Sequence, residues 1–341
     1  MTYRYVPVLR PKRGERNALR DLSPAARKDV VPLFLLTPEK YVGKKATQKR
    51  PAVSPPNRLV SEIEAAWGTL PFYLDASMLP YAGGPHPLTA IAARARARQL
   101  NLIPATWRGA NPQYQQAVNA VVSADRRGVA LRLGLQSFSS AATWINQWNH
   151  PLNRTDLLVD VGNNVEMVDA LGNALDANFA NLTQANRWQT VTLIGTSRPD
   201  NFQGWLAGLR TIKRIEWTLW QRLSNALSYR LHYGDYATVP FTPAPSGIRY
   251  GYPINVVYTL RTSFLVCRGV STTGIGAVDP KPQLTGHARN IVAYPKRGSL
   301  ANCWADREID AIATGQDPKY LEHWVRIGVN RHIELVRSRL P

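Results

Sequence analysis

The sequence has few of the residues that would tie the protein to a membrane, a secretory route or a structural metal. Its 341 residues include only two cysteines and three methionines. Cys267 and Cys303 lack the spacing of metal ligands, so we expect two reduced thiols in a cytoplasmic protein. No apolar run approaches the roughly 18 residues of a membrane span. Residues 1–22 carry no recognisable secretory signal.

Common catalytic and nucleotide-binding motifs are also missing. We find no Walker A loop, no G-x-S-x-G elbow, no H-E-x-x-H helix and no G-x-G-x-x-G turn after the first apolar run. These absences remove the simplest assignments to P-loop enzymes, α/β-hydrolases, zinc proteases and dinucleotide-binding enzymes. Any function must therefore be inferred from charge and from the positions of polar residues.

Positive charge is in large excess. Forty-two Lys and Arg residues face 23 Asp and Glu residues, a net charge of +19. Residues 1–60 alone hold 14 basic and 4 acidic residues, a net of +10. The pI of about 10.3 is typical of domains that bind polyanions. The alternative is a soluble protein from a lineage rich in arginine.

Apolar runs alternate with helix-length segments from the N-terminus to about residue 240. This pattern predicts βαβ units and an α/β fold, with a (β/α)8 TIM-barrel-like domain over residues 1–240 and an open doubly wound sheet as the alternative. The last helix before the eighth strand is predicted at Ile212–Ala226. The strand candidates are Tyr5–Arg10, Val30–Leu36, Phe72–Ser77, Leu102–Trp107, Val129–Leu135, Asp156–Val161, Val191–Ser197 and Tyr229–Tyr236.

The pattern changes after residue 240. Proline and glycine punctuate Val239–Pro253, and Val256–Val270 then has the alternation of a strand. Helices are predicted at Asp306–Thr314 and Tyr320–Leu340. We interpret residues 241–341 as a C-terminal α+β elaboration packed on the barrel.

Five segments in order along the chain resemble a known family. They are LRPKRGE at Leu9–Glu15, FYLDAS at Phe72–Ser77, YGDYA at Tyr233–Ala237, LVCRG at Leu265–Gly269 and NRHIELV at Asn330–Val336. Together they are similar to the "beta protein" family of bacteria and phages, whose members tend to have a double histidine where this chain has Arg-His. The resemblance implies an intracellular protein often encoded among antiviral defence genes. It implies no established activity.

Charged residues gather where the predicted strands end, and in a (β/α)8 barrel function sits at those carboxyl ends. A carboxylate after an apolar run costs several kcal/mol unless it is paired, hydrated or bound to metal. One interpretation is a salt-bridge network with Arg132, Lys12 and Arg10. The other is a pocket in which cations bind phosphate and carboxylates hold Mg²⁺ or transfer protons. The acidic candidates are Glu15, Asp75, Asp160 and Asp235, and the phosphate-binding candidates are Arg10, Lys12, Arg108, Arg132, Ser197, Arg198 and Tyr236.

Two loops add to this prediction. Phosphate sites in this fold often use the loops after strands seven and eight, and the segment at Gly195–Asn201 reads GTSRPDN. A basic, proline-rich loop over Gly43–Pro56 follows the second strand, and counterion release makes such clusters suited to a nucleic-acid backbone. The alternatives are an ordinary turn and a solvated loop. The nucleic-acid-binding candidates of the basic loop are Lys44, Lys45, Lys49 and Arg50.

Two hypotheses of different classes follow. The first is a cytoplasmic, defence-associated barrel that binds nucleic acid or a nucleotide phosphate at its carboxyl end, and that cleaves phosphodiesters with a metal if it is an enzyme. The second is a non-catalytic, antitoxin-like accessory module whose basic surface binds an effector protein encoded nearby. A small-sugar or small-acid enzyme is a third possibility, and it would need a pocket too narrow for a polymer.

Overall fold

The computed structural model describes residues 4–45, 51–81, 83–242 and 253–341. Eight parallel strands close into a barrel in the order β1-β2-β3-β4-β5-β6-β7-β9, which confirms the predicted (β/α)8 fold. The barrel strands are β1 Tyr5–Leu9, β2 Leu33–Leu35, β3 Phe72–Asp75, β4 Leu102–Thr106, β5 Val129–Gly134, β6 Thr155–Asp160, β7 Thr190–Gly195 and β9 Leu231–Asp235.

Helices cover the outside of the barrel and build most of the C-terminal part. Within the described ranges, none of these helices combines the length and apolar character needed to cross a membrane. Their bounds are α1 Arg13–Arg20, α2 Pro24–Arg27, α3 Pro55–Trp67, α4 Pro87–Ala97, α5 Pro112–Asp125, α6 Leu135–Ser139, α7 Ala141–Trp144, α8 Val165–Leu171, α9 Asn173–Ala180, α10 Ile215–Ala226, α11 Pro280–Val292, α12 Trp304–Ala313 and α13 Leu321–Arg337.

The barrel strands form because both of their faces are buried. Every residue of β1, β4 and β7 is buried, and this matches their nearly continuous apolar sequence. A small residue is required where β9 passes β7. A Cβ at Gly234 would lie 2.6 Å from Cγ1 of Ile194 and 2.9 Å from the carbonyl oxygen of Val6. Gly234 therefore allows the strands that close the barrel to approach each other.

A second, antiparallel sheet departs from the prediction. Its strands are β8 Gly208–Lys213, β10 Asn255–Thr259 and β11 Ser263–Arg268, in the order β10-β11-β8. The predicted helix at Ile212–Ala226 was therefore wrong at its start, because α10 begins at Ile215. The strand β8 is largely exposed and is defined by its pairing with β11, about fifty residues away. Local sequence does not show such a pairing.

The helix α13 joins the C-terminal part to the barrel. Its first half contributes Trp324 and Ile327 to a second apolar cluster with β10, β11, α11 and α12. Its second half contributes Ile333 and Val336 to the main core around the barrel. The helix α11 was not predicted, although Asp279 caps it by accepting a hydrogen bond from the Lys281 N–H.

A glycine in α13 sets how closely this helix approaches the barrel. A Cβ at Gly328 would lie 2.8 Å from Oγ1 of Thr238 and 3.0 Å from the carbonyl oxygen of Val257. Gly286 in α11 has open space at the same position. The two residues form a matched pair, since both lie inside helices and only one meets a neighbouring backbone.

We expect Gly328→Ala to lower the free energy of unfolding by ~1–3 kcal/mol, because α13 must shift away from β10. Gly286→Ala should raise it by ~0.5–1 kcal/mol, because alanine favours helix and meets nothing. Urea unfolding followed by circular dichroism measures both. Equal effects of the two substitutions would contradict the close approach of α13.

Candidate functional site

A cavity of about 500 Å³ opens at the carboxyl ends of the barrel strands. Its charged lining comes from Asp75 at the end of β3, Arg132 in β5 and Asp160 at the end of β6. Leu35, Leu36, Met78, Trp107, Leu135, Val161 and Phe241 form most of its apolar wall. An apolar pocket with a few convergent polar groups is the usual form of a small-ligand site.

Arg132 organises the polar side of this cavity. Its Nε donates to Asp160 Oδ2 at 2.8 Å, its Nη1 to Asp75 Oδ2 at 3.3 Å, and its Nη2 to the Tyr236 hydroxyl at 2.9 Å. The Tyr236 hydroxyl donates to Asp160 Oδ2 at 2.6 Å. Burial disfavours the charged guanidinium, but Asp160, Tyr236 and Asp75 outweigh it and raise the pKa of Arg132. Two carboxylates and one cation leave this group with a net charge of −1.

The carboxylates do not form the magnesium site that the sequence suggested. Asp75 Oδ1 accepts from the N–H and hydroxyl of Ser77, and Asp160 Oδ1 accepts from the Gly162 N–H. Their other oxygens are bonded to Arg132. No group of three or more His, Cys, Asp or Glu side chains suited to a metal is found in the described residues. Because Arg132 occupies one oxygen of each carboxylate, the donor set does not fit a divalent cation.

Asp235 lies outside the cavity, contrary to the expectation that it joins the barrel mouth. Its carboxylate accepts hydrogen bonds from the hydroxyls of Tyr5 at 2.7 Å and Tyr233 at 2.8 Å, and contacts Nε2 of His332 at 2.6 Å. Arg214 Nη2 lies 3.4 Å away. Successive strand residues point to opposite faces, so Tyr233 and Asp235 face outward and Tyr236 faces inward.

Ionisation of Asp235 depends on these partners. Burial raises the pKa of the carboxyl, but His332, Arg214 and Tyr5 outweigh burial and hold it well below its usual range. Burial also lowers the pKa of His332. In its neutral form His332 donates Nε2–H to Asp235, while Nδ1 accepts from the Thr259 hydroxyl at 3.0 Å. The ionised Asp235 carboxylate, with its hydrogen bonds satisfied, therefore lies between the barrel and the C-terminal elaboration.

Ser197 belongs to the same buried network and not to the cavity. Its hydroxyl lies 2.6 Å from Glu216 Oε2 and 2.7 Å from the Lys213 carbonyl oxygen, and its N–H donates to Glu216 at 3.0 Å. Glu216 in turn pairs with Arg214 at 3.2 Å. The hydroxyl predicted to bind phosphate is therefore engaged in positioning the start of α10. Sequence reasoning missed Arg214 and Glu216, since neither lies in a recognised motif.

Four cations, here called the basic rim, follow the carboxyl ends of β1, β2 and β7 and interact electrostatically: Arg10, Lys12, Lys40 and Arg198. Arg10 is 3% exposed and donates to the carbonyl oxygens of Pro240 at 3.0 Å and Phe241 at 2.6 Å. Burial lowers the pKa of Lys12. The nearby charge of Glu15 raises this pKa, while those of Arg10 and Lys40 lower it further.

Arg198 completes the basic rim after β7. It is 9% exposed and donates to the carbonyl oxygen of Pro199 at 2.5 Å. Burial lowers its pKa to about 10; Asp200 opposes the shift and Arg10 adds to it. Neither Arg10 nor Arg198 forms an ion pair with a carboxylate of the described residues. Their Nε atoms are buried without a hydrogen-bond partner in the same part of the chain.

Glu15 sits beneath the basic rim. It is 1% exposed, and it accepts a hydrogen bond from the Arg10 N–H. Burial raises its pKa from 4.5 to about 7, although the Arg10 N–H, the Arg10 charge, Lys12 and Lys40 all oppose that shift. Glu15 is thus an acidic group whose charge changes near neutral pH, and that change alters the net charge next to the rim.

The remaining candidates are further from these groups. Arg108 is exposed and lies over the Trp144 ring at 5.3 Å from its centroid. Lys44 and Lys45 are exposed, and Lys44 forms an antiparallel bridge with Val53. Lys49 and Arg50 lie outside the described residues.

Fold and site together define an α/β-barrel protein with a largely apolar cavity, holding a few charged groups, at the carboxyl end of its strands. A family model described as "Beta protein" matches residues 5–337, so the chain belongs to the beta protein family. No curated protein and no solved structure is significantly similar to it.

The buried charge network yields one prediction. We expect Asp235→Asn to lower the free energy of unfolding by about 3–5 kcal/mol, because it removes the charge that pairs with Arg214 and turns one acceptor oxygen into an NH2 donor facing other donors. The control is Asp169→Asn, whose carboxylate pairs with Arg222 on the surface and should contribute less than about 1 kcal/mol. Urea unfolding compares the two. Similar losses would show that the Asp235 network is not needed for stability.

Glu15 yields a second prediction, on pH. Its pKa is higher in the folded protein than in an unfolded chain, so its ionisation lowers stability as pH rises from about 4.5 to 7. Glu15→Gln keeps an acceptor for the Arg10 N–H and removes the charge. Between pH 5 and pH 8 the variant should gain ~1–3 kcal/mol relative to the unsubstituted protein.

Urea unfolding at both pH values measures this gain. Exposed Glu166→Gln is the control for loss of one negative charge. If Glu15→Gln and the unsubstituted protein lose stability in parallel between the two pH values, Glu15 does not titrate in that range.

Proposed function

We propose that this protein binds a nucleotide, free or as one unit of a strand, at the carboxyl end of its barrel. The observation that carries the proposal is the juxtaposition of two unlike surfaces at one barrel end. One is an apolar cavity with hydrogen-bond acceptors, and the other is the basic rim. Phe241 links them, because its ring lines the cavity while its carbonyl oxygen binds Arg10.

The charge of the basic rim indicates that the anionic part of the ligand is a phosphate. Arg10 and Arg198 are bound to main-chain carbonyl oxygens, which are weaker partners for guanidinium than phosphate oxygens are. Lys40 is exposed and Lys12 half-buried, so both can meet a ligand from solvent. The rim also includes the loop after strand seven, a common position for phosphate in this fold.

The lining of the cavity indicates that the rest of the ligand is a ring that carries hydrogen-bond donors. Trp107, Met78 and Phe241 offer apolar and aromatic surface for a base. Asp75 and Asp160 carry a net negative charge with Arg132, so they favour donors such as sugar hydroxyls or exocyclic amines over a phosphate. A volume of about 500 Å³ lies within the range of small-ligand sites.

Binding, and not cleavage, is the proposed activity. Asp75 and Asp160 are held by Arg132, and the other two acidic candidates lie elsewhere. A role in defence and a cytoplasmic location are implied by the family resemblance and remain predictions. The accessory-module hypothesis also remains, and the experiment below separates it from nucleotide binding.

The test is fluorescence anisotropy with a dye-labelled nucleoside monophosphate and a dye-labelled single-stranded decamer. Arg198→Gln should weaken binding about tenfold, because it removes a charge-assisted contact to phosphate. Trp107→Ala should weaken it by a similar factor through lost stacking. Affinity should fall linearly with log salt, with a slope reduced by about 1 in Arg198→Gln. Arg187→Gln, an exposed cation before β7, is the charge control.

Thermal unfolding first establishes that each variant is folded. The proposal fails if neither probe binds at low salt, or if Arg198→Gln and Trp107→Ala bind as Arg187→Gln does. Absence of binding together with co-purification of an acidic protein would favour the accessory-module hypothesis.

A further inference from the structure

A second cavity, of about 260 Å³, lies in the C-terminal elaboration and is strongly basic. It is bounded by the turn between β10 and β11, the loop after α11 and the carboxyl end of α13. None of its lining residues is acidic. The five cations that line it, here called the basic pocket, are Arg261, Lys296, Arg297, Arg331 and Arg339.

Arg331 builds the floor of the basic pocket. It is 1% exposed, and its Nη1 donates to Asp306 Oδ2 at 2.9 Å. Its Nη2 donates to the carbonyl oxygens of Arg297 at 3.3 Å and Gly298 at 2.7 Å, which fixes the loop above it. The Nε atoms of Arg331 and Arg297 are buried with no acceptor in the described part of the chain.

The charge of the pocket is only partly neutralised. Asp306 and Asp310 pair with Arg331 and Arg297 from behind. Arg261, Lys296 and Arg339 form no ion pair with any described residue. Burial lowers the pKa of Arg339, and Arg261 and Arg214 lower it further. Like charges held this close are unfavourable unless an anion lies between them.

The carboxyl end of α13 explains only part of this cluster. A helix carries partial negative charge at that end, which favours a cation such as Arg339 just beyond it. Arg261 and Lys296 come from two other segments, and both are exposed and form no ion pair with a described residue. Their convergence on one cavity needs a different cause.

We propose that the basic pocket binds a ligand with two linked phosphate groups. Five converging cations, three of them without an ion pair among the described residues, match a multivalent phosphate better than a monovalent anion. The diphosphate could belong to a free nucleotide, or successive phosphates could belong to a nucleic-acid strand. The pocket shares no residue with the barrel cavity or the basic rim, so it is a site separate from the proposed nucleotide site.

The test variant is Arg261→Gln with Lys296→Gln, two exposed side chains whose loss should leave the fold intact. The control, Arg154→Gln with Arg187→Gln, removes two exposed cations at the amino ends of β6 and β7. Binding of inorganic pyrophosphate is measured by calorimetry, and binding of a labelled single-stranded decamer by anisotropy. Both are repeated in an Arg198→Gln background, where the barrel site is impaired.

In both backgrounds we expect the test variant to weaken pyrophosphate binding about tenfold relative to the control. Loss for pyrophosphate supports a free diphosphate ligand, and loss for the strand alone supports a nucleic-acid backbone. If the test and control variants bind both probes equally well, the proposal that the basic pocket binds phosphate is wrong. The test and control variants are also compared with Arg198 replaced. A failure of the basic-pocket proposal can therefore be told apart from a failure of the proposed barrel site.

Discussion

The buried carboxylate of Asp235 is the interaction on which the rest of the molecule depends. Its hydrogen-bond partners come from β1, β9 and α13, and the Arg214 guanidinium precedes α10. Removing a carboxylate from water costs several kcal/mol, and only a complete set of donors offsets that cost. The contacts that satisfy Asp235 therefore also hold β1 against β9 where the barrel closes, and hold α13 against the barrel.

This arrangement separates the fixed part of the molecule from the part that can bind. Asp235 and Tyr236 are neighbours in sequence, yet one secures the outer face and the other reaches into the cavity. Outside the barrel every partner of Asp235 is buried. Inside, the Arg132 side chain is 23% exposed and lines open volume. Rigid outer contacts allow the cavity to keep its shape without a ligand.

The barrel can be predicted from the sequence, but the environment of each carboxylate cannot. Continuous apolar runs separated by helices predict a parallel sheet, because each strand is covered on both faces. The strand β8 could not be predicted, since its partner lies about fifty residues away. The position of Asp235 at a strand end predicts the barrel mouth, but Asp235 shares a strand face with Tyr233 and therefore points outward. The partner His332 lies in the NRHIELV segment, whose resemblance to the family carried no assigned role.

The placement of the cations bears on why the chain is so basic. If a lineage rich in arginine were the whole cause, the excess would consist of exposed side chains and surface pairs such as Arg222 with Asp169. Yet Arg10 and Arg198 are buried with no carboxylate partner in the described chain, which costs stability in the absence of an anion. The basic pocket gathers three further cations, Arg261, Lys296 and Arg339, that pair with no carboxylate of the described residues. Unpaired cations that converge in two separate places favour a phosphate-bearing ligand over composition as the cause.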